Sequence, residues 1–274
     1  MNTIAYPMVD IALSRLLERA EGHANSRSVE SRARQVPELG ACWMEAGGTY
    51  AMFDGPGSPL TQTFGLGVFE PITAETLDAL EQFFLSRGSD VFHEVSPLAD
   101  PAVLNILPDR GYRPCELTSL LFQPLPAPLV GAASGSTIVV RQARADEMGA
   151  WAETAVAGWG EFEWSRAFMS SFAPVAAGTE DSYRFFAFDA GKPIATSSLA
   201  VHGEVALLAG AATIPEARGR GAQRALLTAR LQLAAGLGCT LAMMGAAPGS
   251  PSQRNAERSG FRIAYTRIKW HKAR

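Results

Sequence analysis

The stretch EVALLAGAATIPEARGRGAQRALLTARLQLAAGL, residues 204–237, changes character twice. Val205 to Ile214 is a nearly uninterrupted apolar run whose length and Ala/Leu/Val content suit a strand covered on both faces. Pro215 stops ladder pairing, and Arg218-Gly219-Arg220-Gly221 supplies two small residues and two cations. Leu226, Leu227, Ala229, Leu233 and Leu237 then recur at helical spacing. The order is strand, glycine loop, helix.

That order has a physical use. The first N–H groups of a helix lack intrahelical partners and carry the positive end of its dipole, so an anion fits there. Gly219 and Gly221 lack a Cβ, which lets the loop take positive φ and a phosphate approach the backbone closely. The spacing excludes the common nucleotide loops: no Lys-Ser/Thr follows Gly221 as a Walker loop requires, and Arg224 stands where a dinucleotide fingerprint needs its third glycine.

On the C-terminal side, Thr240 to Met244 reads as a strand and Ala247-Pro248-Gly249 as a turn. Ser250-Pro251-Ser252-Gln253 is a helix start, with Ser250 as cap, Pro251 at the first helical position and Gln253 completing a capping box. Gly260 ends that helix, and Phe261 to Trp270 is the closing strand. On the N-terminal side, Thr137 to Arg141 is a strand, Asp146 to Gly158 and Ser165 to Ala177 are helices, and Tyr183 to Phe188 and Pro193 to Val201 are strands about a turn.

The segment around Arg218 and Gly221 resembles the cofactor loop of the GNAT family of acyl-CoA-dependent N-acetyltransferases, written Gln/Arg-x-x-Gly-x-Gly/Ala, with Gln223 where the family prefers Gly or Ala. The element order from Thr137 to Trp270 resembles the GNAT fold. The resemblance implies that acetyl-CoA is the cofactor, held by Arg218, Gly219, Arg220, Gly221, Ala222 and Gln223 at its pyrophosphate and by the backbone of Ala211 and Thr213 along its pantetheine arm. Ser252 and Asn255 are further candidates for that arm.

Upstream, Asp10 to Ala24 reads as a helix ending in polar Glu21 to Ser28; Ala41 to Glu45 and Thr49 to Phe53 form a hairpin; Thr61 to Phe69 is a strand. Thr73 to Arg87 is an amphipathic helix, followed by strand Val91 to Val95, helix Pro101 to Arg110 and strand Tyr112 to Phe122. Leu107 to Arg113 resembles Asn255 to Arg262, with Gly111 and Gly260 separated by 260 − 111 = 149 positions, about half the chain. The expected architecture is therefore α/β, two GNAT-like domains in tandem, each a mixed, mostly antiparallel sheet flanked by helices. Residues 1–123 form the first, 124–136 a Pro-rich then Gly/Ser-rich linker, and 137–274 the cofactor-binding one. Glu70 to Glu75 sits where the first half would carry its loop. It has no glycine and two carboxylates, so the first half is expected to have the fold without the cofactor site.

Transfer to an amine requires an uncharged nitrogen, hence a base, and a thiol leaving group that benefits from an acid. The family's usual Tyr position holds Ala256, in Ala256-Glu257-Arg258-Ser259-Gly260-Phe261, and its usual mid-strand Glu position holds Leu207. The remaining candidates are Glu161 and Glu163, beside Trp159 and Trp164 where the family's acceptor pocket forms, and Tyr265 on the last strand. His202 beside Gly203 reads as a turn residue.

Composition narrows the partners. With 47% hydrophobic and 19% charged residues the 274-residue chain is globular, and a net charge of −3 gives no general reason to bind nucleic acid or an anionic membrane. Cys42, Cys115 and Cys239 are widely spaced and odd in number, which argues against a disulfide framework or a zinc site and fits a reducing cytoplasm. Met1 to Ala20 carries Asp10 and Glu18 within it and is not a secretory signal; Ala225 to Ala247 is interrupted by Arg230, Gly236 and Gly238 and is not a membrane span. The leading expectation is an N-acetyltransferase acting on an amine of a small molecule or peptide. The alternatives are a non-catalytic acyl-CoA-binding module, motivated by the missing Tyr and Glu, and, more weakly, a nucleotide-binding protein.

Overall fold

The computed structural model describes residues 5–127, 137–159 and 163–274, residues 163 and 164 by backbone alone. In chain order the elements are α1 (Ile11–Gln35), β1 (Cys42–Ala46), β2 (Thr49–Phe53), β3 (Gln62–Phe64), α2 (Ala74–Leu85), β4 (Val91–Val95), α3 (Val103–Asp109) and β5 (Arg113–Pro124). Then come β6 (Val139–Gln142), α4 (Met148–Trp159), α5 (Glu163–Gly178), β7 (Ser182–Asp189), β8 (Lys192–His202), β9 (Val205–Thr213), α6 (Ala222–Gly236), β10 (Leu241–Ala246), α7 (Pro251–Arg258) and β11 (Arg262–Lys272). Most of the expected linker, residues 128–136, lies outside the described residues.

The chain divides into two compact units. One comprises Tyr6–Phe122, Gly245–Arg254 and Arg262–Arg274. In it β1, β2 and β3 pair antiparallel in succession, β3 and β4 pair parallel, and β11 lies antiparallel to both β4 and β5. The closing strand thus belongs to the unit built on the first half of the chain, a membership that a simple division at residues 124–136 does not anticipate. Its reason is hydrogen bonding: both edges of β11 are satisfied there, from Val95 to Val91 on one side and from Phe122 to Arg113 on the other. Two apolar clusters fill the unit, one around Leu77, Leu80, Phe84, Val91, Leu107 and Trp270, the other around Val29, Tyr50, Met52 and Phe64.

Two elements differ from expectation. Helix α1 does not stop near Ala24 but runs to Gln35. Polar residues within it bond back to its own carbonyls, Ser26 to His23 and Ser28 to Ala24, while Val29 and Arg32 continue its buried face, with Arg32 Nε 2.8 Å from Asp54. Strand β3 ends at Phe64 because Gly65 and Gly67, both at positive φ, turn the chain away.

The other unit holds the described residues of Gln123–Met244 and Asn255–Phe261. Strands β6 to β9 pair antiparallel in succession, and β9 and β10 pair parallel. Trp151, Ala155, Met169, Ala173 and Phe186 join α4, α5 and β7 in one apolar cluster. Each unit is thus a mixed sheet flanked by helices.

The repeat is visible in how the helices close. The N–H of Tyr112 bonds Leu107 O at 3.0 Å, and that of Phe261 bonds Ala256 O at 3.0 Å. Ser89 closes on Phe84, at 3.2 Å, as Cys239 closes on Ala234, at 3.0 Å. All four are the same six-residue terminus with glycine just before the donor, and each accepting residue is fully buried. The offsets, 256 − 107 = 149 and 234 − 84 = 150, match the spacing read from the sequence.

Candidate functional site

Strand β9 is apolar along its length because it is buried on both faces at its start, yet its middle is open: Ala209 and Gly210 are exposed. Two irregularities account for this. The parallel ladder with β10 contains only Leu241↔Val205, Ala242↔Ala206 and Met243↔Leu207, so the strands part beyond Leu207. On the other side, Thr196 pairs with Ala212 and Ser198 with Ala209, two steps on β8 against three on β9. The extra residue makes a bulge, with Gly210 at φ +60. A sheet edge that parts company with its neighbour offers backbone donors and acceptors to an extended ligand carrying amide groups.

The glycine loop stands at the end of the same strand. A short turn, Pro215–Ala217, leads into it. Gly219 and Gly221 have φ of +78 and +90, and a Cβ built on either would meet nothing within 4 Å. The glycines are therefore demanded by backbone conformation, and the space outside them is open to a ligand. Gly221 caps α6 with no side-chain hydrogen bond, so the leading amides of a 15-residue helix face that space with the dipole behind them.

The structure gives the expected loop residues distinct environments. Gln223 Nε2 donates to Thr213 Oγ1 at 2.7 Å, joining the first turn of α6 to the end of β9. Arg218 is exposed and bonded back to the protein: its Nε donates to Thr213 O and its Nη2 to Gly158 O, both at 3.2 Å. Its guanidinium joins the end of β9 to the end of α4. Arg220 is half exposed and pairs with Asp189 at 3.2 Å, while also bonding Glu216 O. Ala222 is buried at the helix start and Ala211 half-buried on β9. Gly158 escaped the sequence reading. A Cβ there would lie 2.7 Å from the Ala212 Cβ and 3.1 Å from Thr213 N, so only glycine lets α4 touch β9; a glycine inside an apolar helical pattern is the signal that pointed to it.

The remaining candidates have environments of their own. Tyr265 is buried in the unit built on the first half, where its hydroxyl donates to Glu18 Oε1 at 2.9 Å and accepts from Ser14. Burial and the Glu18 charge push its pKa well above the usual phenol value, so the hydroxyl stays protonated at neutral pH, engaged with Glu18. The period-two pattern of β11 could mark Tyr265 as half-buried but not what it would face. Ser252 and Asn255 are exposed on α7, their side chains without partners among the described residues. Leu207 and Ala256 are buried and apolar. Glu161 lies outside the described residues, as does the Glu163 side chain. Among the described residues no group of three or more His, Cys, Asp or Glu could hold a metal ion.

One buried charge close to the bulge was not singled out from the sequence. Arg230, from the middle of α6, donates from Nη1 to Ser198 O at 3.2 Å and to Ala209 O at 3.5 Å. Burial lowers its pKa to about 9, with no carboxylate among the causes.

In the unit built on the first half, the corresponding helix start is closed. Thr73 caps α2 by accepting from Thr76 N at 3.2 Å, and the Glu75 carboxylate, its pKa lowered by its own backbone N–H and the Thr73 hydroxyl, already serves the first turn.

A sequence model of the Acetyltransferase (GNAT) family matches residues 146–261, which span the bulge, the loop and α7. No curated protein matches the chain. Among solved structures, the chain is similar to a GCN5-related N-acetyltransferase from Kribbella flavida, at 20% identity and a TM-score of 0.65, over 89% of this chain and 95% of that one. It is also similar to a tandem GNAT protein from the clavulanic acid biosynthesis pathway, at 13% identity and a TM-score of 0.56, over 82% and 78%. A GCN5-related N-acetyltransferase from Sphaerobacter thermophilus gives 16% identity and a TM-score of 0.56, over 72% and 66%. At these identities the structures speak to fold, and that fold is the one the Acetyltransferase (GNAT) family model, matching residues 146–261, describes.

Proposed function

We propose that the chain transfers an acetyl group from acetyl-CoA to an amine of a small molecule or peptide. The observation that carries the reading is the juxtaposition on one strand of an opened ladder and an uncapped glycine loop: β9 parts from β10 after Leu207 and ends at the loop opening α6. Acetyl-CoA supplies an activated acyl carbon. The loop from Arg218 through Gly219, Arg220 and Gly221 to the amides of Ala222 and Gln223 would hold its pyrophosphate, and the backbone of β9 from Ala209 and Gly210, which are exposed, through Ala211 to Thr213 would fix its pantetheine arm in an extended form. Ser252 and Asn255 remain candidates for polar contacts to that arm.

Much of the rate would then come from holding the thioester and the amine together, since neither Leu207 nor Ala256 can exchange a proton. Glu161 and Glu163 are proposed to border the acceptor, where carboxylates beside Trp159 and Trp164 would favour a cationic amine and could take its proton. The test is release of free CoA from acetyl-CoA with a panel of amines; no turnover with any amine, despite CoA binding, would leave a CoA-binding module. That second reading is favoured by the same two apolar residues.

We further propose one cofactor site per chain, because Thr73 and Glu75 already serve the helix start that would mirror the loop. Calorimetry with CoA should give a stoichiometry near one; two equivalent sites would refute this. The protein is proposed to work in the cytoplasm without nucleic acid or membrane partners. No helix among the described residues is long and apolar enough to cross a membrane.

A further inference from the structure

The bulge in β9 creates a need, and Arg230 meets it with more than the need requires. Inserting Gly210 breaks the ladder next to the Ser198↔Ala209 pair, and the carbonyls of Ser198 and Ala209 take hydrogen bonds from Arg230 Nη1 instead. Its Nε is occupied by Leu226 O, one turn back on α6, at 3.3 Å. A neutral amide could serve two carbonyls at a smaller desolvation cost. The guanidinium instead brings a full positive charge, 4% exposed, with no ion pair to it among the described residues.

We propose that Arg230 is a positioning residue for the leaving thiolate: acting through the Ala209 carbonyl behind the exposed Ala209–Gly210 stretch, its charge stabilises the negative charge that forms on the sulfur of an acyl-CoA. This rests on the acyl-CoA reading above. If the pyrophosphate sits at the start of α6 and the arm runs back along β9 from Thr213, its sulfur end comes to Ala209 and Gly210. During transfer the amine nitrogen bonds to the acyl carbon, the carbon–sulfur bond breaks, and the sulfur departs with the electron pair while the amine proton goes to a base or to solvent. Ala256 has no proton to give that sulfur. A positive charge held in the buried layer directly behind the strand stabilises the anion. A carbonyl bonded to a cation also polarises its peptide, making the N–H of Gly210 a stronger donor.

The experiment is a titration of the thiol of bound CoA, followed by the ultraviolet absorbance of the thiolate, in the wild-type chain and in Arg230→Lys and Arg230→Gln. The expected result is a bound thiol titrating at least about one pH unit below free CoA in the wild type, partly so in the Lys variant and not in the Gln variant. A role confined to satisfying the two carbonyls would leave the bound thiol of Arg230→Gln titrating as in the wild type, and that result overturns the proposal. Should neither variant fold, the wild type decides: a bound thiol titrating like free CoA overturns it. Failure of the wild type to bind CoA at all would overturn the acyl-CoA reading itself, a different outcome from binding without a shifted thiol.

Discussion

Gln223 Nε2 lies 2.7 Å from Thr213 Oγ1, so the first turn of the helix after the glycine loop is tied to the last residue of the strand before it. This bond sets the angle at which the loop amides stand relative to the opened edge of β9. Gln223→Ala removes it at a cost of about 1 kcal/mol, which predicts roughly fivefold weaker CoA binding by calorimetry. Gln223→Glu should weaken CoA further, because it adds a negative charge where the phosphates approach. Equal affinity in all three proteins would show that the tie has no bearing on the ligand.

Gly221 stands at φ +90 with open space where a Cβ would be. Gly221→Val therefore clashes with nothing in the free protein, but strains the backbone by about 1–2 kcal/mol, a few degrees in Tm for a domain of this size. Against the pyrophosphate the same side chain obstructs approach and misaligns the amides, and CoA affinity should fall by at least about a hundredfold. Wild-type affinity in a folded Gly221→Val protein would remove the loop from the cofactor site.

Arg220 and Asp189 form an exposed pair at the loop, and the carboxylate is held ionised by the Thr137 hydroxyl and by Arg220 itself. Asp189→Asn frees the guanidinium for a phosphate and should tighten CoA about two- to threefold at low salt, while Arg220→Ala should weaken it by no more than about tenfold. Both effects should shrink as salt rises. An Asp189→Asn protein that binds CoA less well would mean that the pair, not the free cation, presents the loop.

His93 is buried between Thr63 Oγ1, 2.8 Å from Nδ1, and Tyr112 Oη, 3.0 Å from Nε2. The Tyr112 hydroxyl donates to Glu81, so it accepts from Nε2–H, and Nδ1 accepts from Thr63; the ring is neutral and fully occupied. Burial, with the nearby Lys272 charge, lowers its pKa to about 3. Between pH 6.5 and 3 the unfolded chain binds a proton that the folded chain does not, so stability falls with acidification through that window, by at most about 5 kcal/mol from this group. Glu18 and Glu94, whose pKa values burial raises, act in the opposite sense. The difference isolates His93: urea unfolding at pH 7 and pH 5 should show a smaller loss for His93→Gln than for the wild type, and parallel losses would mean that His93 is not held neutral.

What the sequence determined by itself are the features that local chemistry dictates. Val205 to Ile214 reads as a strand, although its cover fails at Ala209 and Gly210; Gly219 and Gly221 read as a loop before a helix; and Ser250 caps Gln253 N as its position implied, with the Gln253 side chain returning to Gly249 N. The repeat was legible because Gly111 and Gly260 follow helices that must end in the same way. Tertiary structure decided whatever depends on which surface a side chain meets. Arg218 and Arg220 are two residues apart in one loop, yet one bonds the carbonyls of Thr213 and Gly158 and the other pairs with a carboxylate, a difference set by where Gly158 and Asp189 arrive in space. The place of Tyr265 followed from the company β11 keeps, since a strand of alternating character pairs with whichever edges satisfy its backbone. Arg230 reads as one polar residue on a helix, and only the bulge at Gly210, a mismatch between two strands, gave it a task.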